Sequence, residues 1–271
     1  MFKAKKMKTI FLYISMALAL TVFIKPEAHS QNALFLNQGN ITFEKTTNVL
    51  AIMKDNMGDD NVWGAKMVEA YEKSNNPHSA TQQFNLAFNG NKTLYTPIET
   101  DAPKNPMMDF MLSAGGNNQV YTNLDSSTSV AFKNIYDESF LVTDTLRNIR
   151  WKITDETRTI AGFQCRRANA IVMDSIYVVA FYTDLIPSSG GPESFTGLPG
   201  MILGLALPHK HMTWFATKVS VSPPVSSASL VPPAGKRKTQ VITRKALYEK
   251  MQGRLGDWGK NGQLIIQNGM L

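Results

Sequence analysis

The chain has 271 residues, of which 43% are hydrophobic and 18% are charged, and its formal net charge is +7. Five lysines and Glu27 lie in the first 30 residues, so removal of that segment lowers the charge to +3 and weakens the case for nucleic-acid binding. Cys165 is the single cysteine, which excludes an intramolecular disulfide and leaves packing of the core to provide stability.

The N-terminal segment has the layout of a secretory signal peptide. Four lysines precede an apolar run over residues 9–24, and Ala28 and Ser30 supply the small residues of a cleavage site. The run is shorter than the roughly 20 residues that a membrane-spanning helix needs. The sequence therefore predicts cleavage near Ser30 and a periplasmic or secreted protein that does not span the membrane.

The remaining chain divides into three predicted parts. Residues 31–221 are expected to form a β-rich domain, residues 222–238 a proline- and serine-rich loop or linker, and residues 239–271 a C-terminal helix and tail. Thr243 is placed to cap that helix, and Gly253 or Gly256 to end it.

The first part of the mature chain predicts a strand, a helix and a hairpin. Residues 40–54 have the composition of an opening strand, and from Val62 the apolar residues Trp63, Met67 and Tyr71 recur at helical spacing. Asn89 and Gly90 follow an alternating segment and indicate a hairpin turn.

Most of the later segments read as strands. Residues 96–118 contain three prolines and predict a long excursion, whereas residues 119–221 predict consecutive strands joined by short turns. The segments 175–182 and 201–207 are apolar on both faces and are expected to lie centrally. Phe163 and Cys165 share one strand face, which favours a buried Cys165 over a reactive thiol.

These elements predict a mainly β fold. It is a curved antiparallel sheet with one early and one C-terminal helix against it. This arrangement is similar to the half-barrel of lipoprotein carriers, which is an analogy of fold alone.

A glycine- and proline-rich stretch, GPESFTGLPGMILGL, covers residues 191–205. Pro199 sets φ at the first corner of a turn, and Gly200 accepts the positive φ that a type II turn requires at its second corner. The stretch therefore predicts a return of the chain into the strand at residues 201–207, with Phe195 in an exposed loop.

This stretch also resembles the signature of the GLPGLI family, exported proteins of Bacteroidetes-type Gram-negative bacteria. Met201 stands at the second leucine of the signature, and the segments 151–168 and 84–95 are also similar to the family. The resemblance implies no reaction and no catalytic residues, because the family has no established activity.

Two interpretations of the motif are open. In the first, the glycine and proline residues only determine the backbone conformation. In the second, the residues of the motif form a recognition loop. The candidate recognition residues are Gly191, Pro192, Phe195, Gly197, Leu198, Pro199 and Gly200.

The residues that could carry chemistry are few. No nucleophile elbow, zinc-protease motif or phosphate loop is present in the sequence. His209 and His211 would share one face of an extended strand beside Met212, and a methionine-rich segment contains Met107, Met108 and Met111. Imidazole and thioether groups suit copper in an exported protein, so copper is the one metal considered, and otherwise no cofactor is expected.

The sequence favours a non-catalytic binding or accessory protein of the cell envelope, whose partner is another envelope protein or an apolar ligand. A periplasmic hydrolase and a copper-binding protein are the alternatives.

Overall fold

The computed structural model describes residues 35–57, 62–99 and 116–271. Residues Phe35–Leu271 belong to one unit. The predicted signal peptide and Met107, Met108 and Met111 lie outside the described residues. Among the helices of the described part, none has the length and apolar character that crossing a membrane requires.

Within the described residues, twelve strands form a single sheet, in agreement with the predicted mainly β fold. They are β1 Gln38–Asn48, β2 Ser79–Asn89, β3 Lys92–Ile98, β4 Gln119–Asn123, β5 Thr128–Ile135, β6 Glu138–Thr145, β7 Lys152–Ile160, β8 Phe163–Val172, β9 Ile176–Thr183, β10 Met201–Leu207, β11 Met212–Ser220 and β12 Gln240–Ile242. Their order in the sheet is β12-β6-β5-β4-β3-β2-β1-β11-β10-β9-β8-β7. Neighbouring strands run antiparallel, except that β12 pairs with β6 in parallel.

One face of the sheet, which we call the inner face, carries the largest side chains of the core. Phe43 on β1 lies opposite Phe84 on β2, and the Phe84 ring stacks on Tyr95 of β3 with ring centroids 4.7 Å apart. Alternation along β1 and β2 places every second residue on this face, as a half-buried strand requires. β9 and β10 are buried on both faces, as their apolar sequences predict.

Two helices follow β1. The first, α1, covers Val49–Met57, and the second, α2, covers Val62–Glu72. The prediction that the opening strand continues to residue 54 is wrong, because the Asn48 side chain accepts a hydrogen bond from the Ala51 N–H and starts a helix there. α2 lies where the sequence predicts a helix, but Trp63 is 74% exposed and does not belong to its buried stripe.

The C-terminal part contains two helices where the sequence predicted one. In α3, Arg244–Leu255, the Thr243 side chain accepts a hydrogen bond from the Ala246 N–H, which confirms the predicted cap. A second helix, α4, covers Gly259–Met270. Its glycine and asparagine residues have low helix propensity, so packing of Ile266 and Met270 against the main core stabilises it instead.

The loop between β11 and α3 crosses the outer face of the sheet before β12. Val225 and Leu230 are buried there against Tyr121, whose side chain points away from the inner face. The Val225 N–H donates to Gln38, and its carbonyl accepts from the Asn89 side chain. Hydrogen bonds therefore fix the proline- and serine-rich segment to the strands it crosses.

Candidate functional site

The glycine- and proline-rich motif forms a loop, residues 186–200, between β9 and β10. We call it the motif loop. The Met201 N–H donates to the Ile186 carbonyl, and the Ile202 N–H donates to the Gly190 carbonyl. At its far end the Trp151 indole Nε1 donates to the Thr196 carbonyl, 2.9 Å away. These bonds fix the loop to β10 and to the residue preceding β7.

Most side chains of the motif loop are buried. Phe195 is 1% exposed and Leu198 is 2% exposed, so the predicted exposed position of Phe195 is wrong. Gly191 and Pro192 are also buried, whereas Gly197 and Pro199 are exposed. Since five of the seven candidate recognition residues are buried, the loop offers a partner little of the surface that the recognition interpretation needs.

The turn that returns the chain to β10 is tighter than predicted. The Gly200 N–H donates to the Leu198 carbonyl at 2.8 Å, which closes a three-residue γ-turn at Pro199 and replaces the predicted type II turn. The positive φ predicted for Gly200 is confirmed at +145°. A Cβ added there would lie 2.1 Å from the Thr183 carbonyl oxygen, so only glycine fits.

The motif loop also buries a charged residue, Glu193, that sequence reasoning missed. Its side chain is 3.6 Å from the Lys45 Nζ and accepts a hydrogen bond from the Asn118 side chain at 2.9 Å. The Lys45 Nζ lies 4.9 Å from the centre of the Trp214 ring. Glu193 has a φ of +54°, a strained conformation for a residue other than glycine. The loop therefore holds this carboxylate inside the core against a steric preference.

Two further cations lie beside this ion pair, the buried Lys133 and the half-buried Arg147. Lys133 points from β5 to the inner face, and its Nζ has no hydrogen-bond partner among the described residues. The Arg147 Nε donates to the Ser194 hydroxyl at 2.9 Å, and another nitrogen of Arg147 donates to the Met270 carbonyl. Cations outnumber carboxylates among the charges that act on one another here, which are Lys45, Lys133, Arg147 and Arg244 against Asp144 and Glu193.

Burial changes the acid–base behaviour of these groups. It lowers the pKa of Lys133 to about 8, although the Glu193 charge acts in the opposite direction. Burial together with the nearby Arg244 charge lowers the pKa of Arg147 to about 10. Burial also lowers the pKa of Lys45, while Glu193 raises it. The interior thus disfavours the charge that each of these groups carries at neutral pH.

A pocket of about 20 Å³ adjoins the cluster on the inner face, over β4, β5 and β6. Such a volume is enough for a water-sized group. The pocket is closed by α3, by the end of α4 and by Ser194 of the motif loop. Its charged walls are Lys133, Asp144, Arg147 and Arg244.

Replacement of Lys133 by methionine is expected to stabilise the protein. Lys133→Met removes a buried charge that has no hydrogen-bond partner among the described residues, so the free energy of unfolding should rise by about 1–3 kcal/mol at neutral pH. The pKa of Lys133 is about 8 in the folded protein and 10.5 in its ordinary state. Between about pH 8 and pH 10.5 the unfolded wild-type chain binds more protons than the folded protein, so the free energy of unfolding of wild type rises with pH. The difference in free energy of unfolding between Lys133→Met and wild type therefore becomes smaller over this range.

Urea unfolding of both proteins across this pH range is the measurement. Lys245→Met is the matched control, because Lys245 is exposed on α3. A destabilised Lys133→Met, or an advantage that does not change with pH, would contradict the assignment of Lys133 as a strained buried cation.

The histidines of the copper hypothesis lie in a turn and not in a strand. Residues Pro208–Lys210 form a single 3₁₀ turn, and His211 follows in a left-handed conformation. The His211 Nε2 is 2.6 Å from Asp55 of α1, His209 is exposed and Met212 is buried. The expectation that His209 and His211 share one face of an extended strand is therefore wrong. Within residues 35–57, 62–99 and 116–271, no group of three His, Cys, Asp or Glu side chains could hold a metal ion. Copper binding itself stays a prediction.

Cys165 is buried, as its strand position predicts. Burial raises the pKa of its thiol to about 12, so the thiolate that a reactive cysteine needs does not form at neutral pH. The sequence did contain a signal for the buried cations. Lys45 alternates with Ile41 and Phe43 on β1, which places a lysine on a strand face that is otherwise apolar.

Comparison with known proteins gives a partial match. The model of a family described as a protein of unknown function, Porph_ging, matches residues 171–204, which contain the motif loop. No curated protein sequence matches the chain. Two solved structures of PNGF-II, in the C2 and P21 space groups, are similar with TM-scores of 0.48 and 0.46 and 16% identity each. They cover 86% and 76% of this chain, which spans about a third of theirs, 33% and 32%.

Proposed function

We propose that this protein is an exported, non-catalytic binding or accessory protein of the cell envelope, of the GLPGLI type. The observation that carries the binding role is the cluster of buried cations beside a small pocket on the inner face. Buried charges of one sign cost free energy of folding unless a partner of opposite charge compensates them. A protein that retains such a cluster without a catalytic motif is best explained as one that binds a ligand there.

The motif loop has a structural role in this proposal. Its buried side chains and its hydrogen bonds to β10 and Trp151 support a role in shaping the interior and in holding Glu193 among the cations. The pocket is small and basic, which favours a polar ligand over the apolar ligand expected from the half-barrel analogy. A partner protein would then dock elsewhere on the surface.

Export is tested by fractionation of cells that express the full chain. We expect a mature protein that begins near Gln31 and is released by osmotic shock, because the apolar run is bounded by lysines and by a small-residue cleavage site. N-terminal sequencing of the released protein is the measurement. Retention of Met1 in the membrane fraction would contradict cleavage and export.

Binding is tested by native mass spectrometry of protein purified from its own envelope. A ligand or protein that remains bound, and that is lost from a Lys133→Met variant, would support the site proposed above. Hydrolysis by the purified protein, abolished by that same variant, would instead favour the hydrolase alternative.

A further inference from the structure

The pocket over β4, β5 and β6 combines basic and aliphatic walls. Its polar walls are Ser129, Lys133, Asp144, Arg147, Ser194 and Arg244. Its aliphatic walls include Val120, Val142 and Leu247. A pocket with one charged end and one apolar end favours a ligand that also has a charged end and an apolar end.

At the charged end two cationic groups have no carboxylate in hydrogen-bond contact, although the charges of Glu193 and Asp144 act on them at longer range. The Lys133 Nζ is buried and has no hydrogen-bond partner among the described residues. Arg147 donates to the Ser194 hydroxyl and to the Met270 carbonyl, which are neutral acceptors, and it forms no ion pair within the described part of the chain. A ligand that supplies one negative charge would compensate both groups.

Asp144 limits the charge that the ligand can carry. Its carboxylate accepts the Arg244 N–H at 2.9 Å and the Thr145 N–H at 2.8 Å, so it is fixed at the pocket wall. A second negative charge on the ligand would be repelled by this carboxylate. The pocket therefore suits a monoanion better than a phosphate dianion.

We propose that this pocket binds a monocarboxylate, with Lys133 and Arg147 on its oxygens and its aliphatic part against Val120, Val142 and Leu247. The pocket volume of about 20 Å³ suits a water-sized group, so binding of a carboxylate with an alkyl segment requires the pocket walls to move apart. This inference rests on the proposed binding function and names the chemical class of its ligand. The carboxylate belongs either to a free short-chain acid or to the C-terminus of a peptide.

The experiment is a calorimetric titration of the mature protein with acetate, propionate, butyrate and inorganic phosphate. We expect propionate or butyrate to bind at millimolar concentration or below, and phosphate to bind more weakly. Lys133→Met should weaken binding by about tenfold or more, equivalent to roughly 1.4 kcal/mol. Lys245→Met should leave binding unchanged, because Lys245 is exposed on α3 outside the pocket.

A second arm distinguishes the two sources of the carboxylate. A short peptide ending in valine is titrated with a free C-terminus and as its amide. Binding of the free peptide but not of the amide supports peptide recognition, and binding of the acids alone supports a free acid.

The proposal is overturned if neither the acids nor the free peptide bind, if phosphate binds more tightly, or if Lys133→Met binds as wild type does. A cooperative thermal unfolding transition of Lys133→Met would show that the variant is folded and would separate loss of binding from loss of structure. Failure of this proposal alone would leave export and co-purification, tested separately, unaffected.

Discussion

Replacement of Gly200 by alanine is expected to lower the free energy of unfolding by about 3–5 kcal/mol. Two costs combine at this position. A φ of +145° is unfavourable for any residue with a Cβ, and that Cβ would lie 2.1 Å from the Thr183 carbonyl oxygen. Because backbone atoms cannot yield as a side chain can, the turn itself must move. Urea unfolding of wild type and variant measures the effect.

Gly197→Ala separates the two costs. Gly197 also has a positive φ, +96°, but a Cβ there would meet only Trp151 at 3.6 Å, an ordinary contact distance. We expect this variant to lose about 1–2 kcal/mol, the strain contribution alone. Equal losses in the two variants would show that steric contact with Thr183 does not constrain the turn.

Replacement of Glu193 by glutamine is expected to be as damaging, by about 3–5 kcal/mol, for an electrostatic reason. The side chain keeps its size, but Lys45 loses the buried carboxylate that lies 3.6 Å from its Nζ. Lys133 and Arg147 lose the same negative charge, which favours their protonated forms. The free energy of unfolding from urea titration is again the measurement.

Two variants test this explanation. Glu72→Gln breaks an exposed ion pair with Lys54 and should cost less than about 1 kcal/mol. Adding Lys45→Met to Glu193→Gln should recover at least about 1 kcal/mol, because it removes one of the uncompensated charges. A double variant less stable than Glu193→Gln alone would mean that Lys45 stabilises the core through its ring contacts and not through the ion pair.

The fold was largely accessible from the sequence because its signals are local. Alternation along β1 and β2, the Asn89–Gly90 turn and the apolar runs of β9 and β10 each depend on neighbouring residues. α4 could not be predicted in this way, since contacts with the main core, distant in sequence, stabilise a helix rich in glycine. The change from β1 to α1 was missed because Val49 and Ile52 suit a strand as well as a helix.

The candidate site was accessible only in part. Composition identified the motif loop and predicted the positive φ of Gly200, because glycine and proline determine backbone shape directly. The association of Glu193 with Lys45, Asn118 and Lys133 joins four distant parts of the chain, and no local pattern encodes it. The burial of Phe195 likewise depends on the residues against which the motif loop packs.

The two ends of the twelve-stranded sheet have a consequence for how the protein behaves in concentrated solution. An edge strand exposes unpaired N–H and C=O groups that can pair with a strand of another molecule. Here one edge, β12, is three residues long, and the other, β7, carries Lys152, Asp155, Glu156 and Arg158 and has an irregular register with β8. Short length, charge and irregularity all oppose strand addition, so the sheet is protected against edge-to-edge aggregation at both ends.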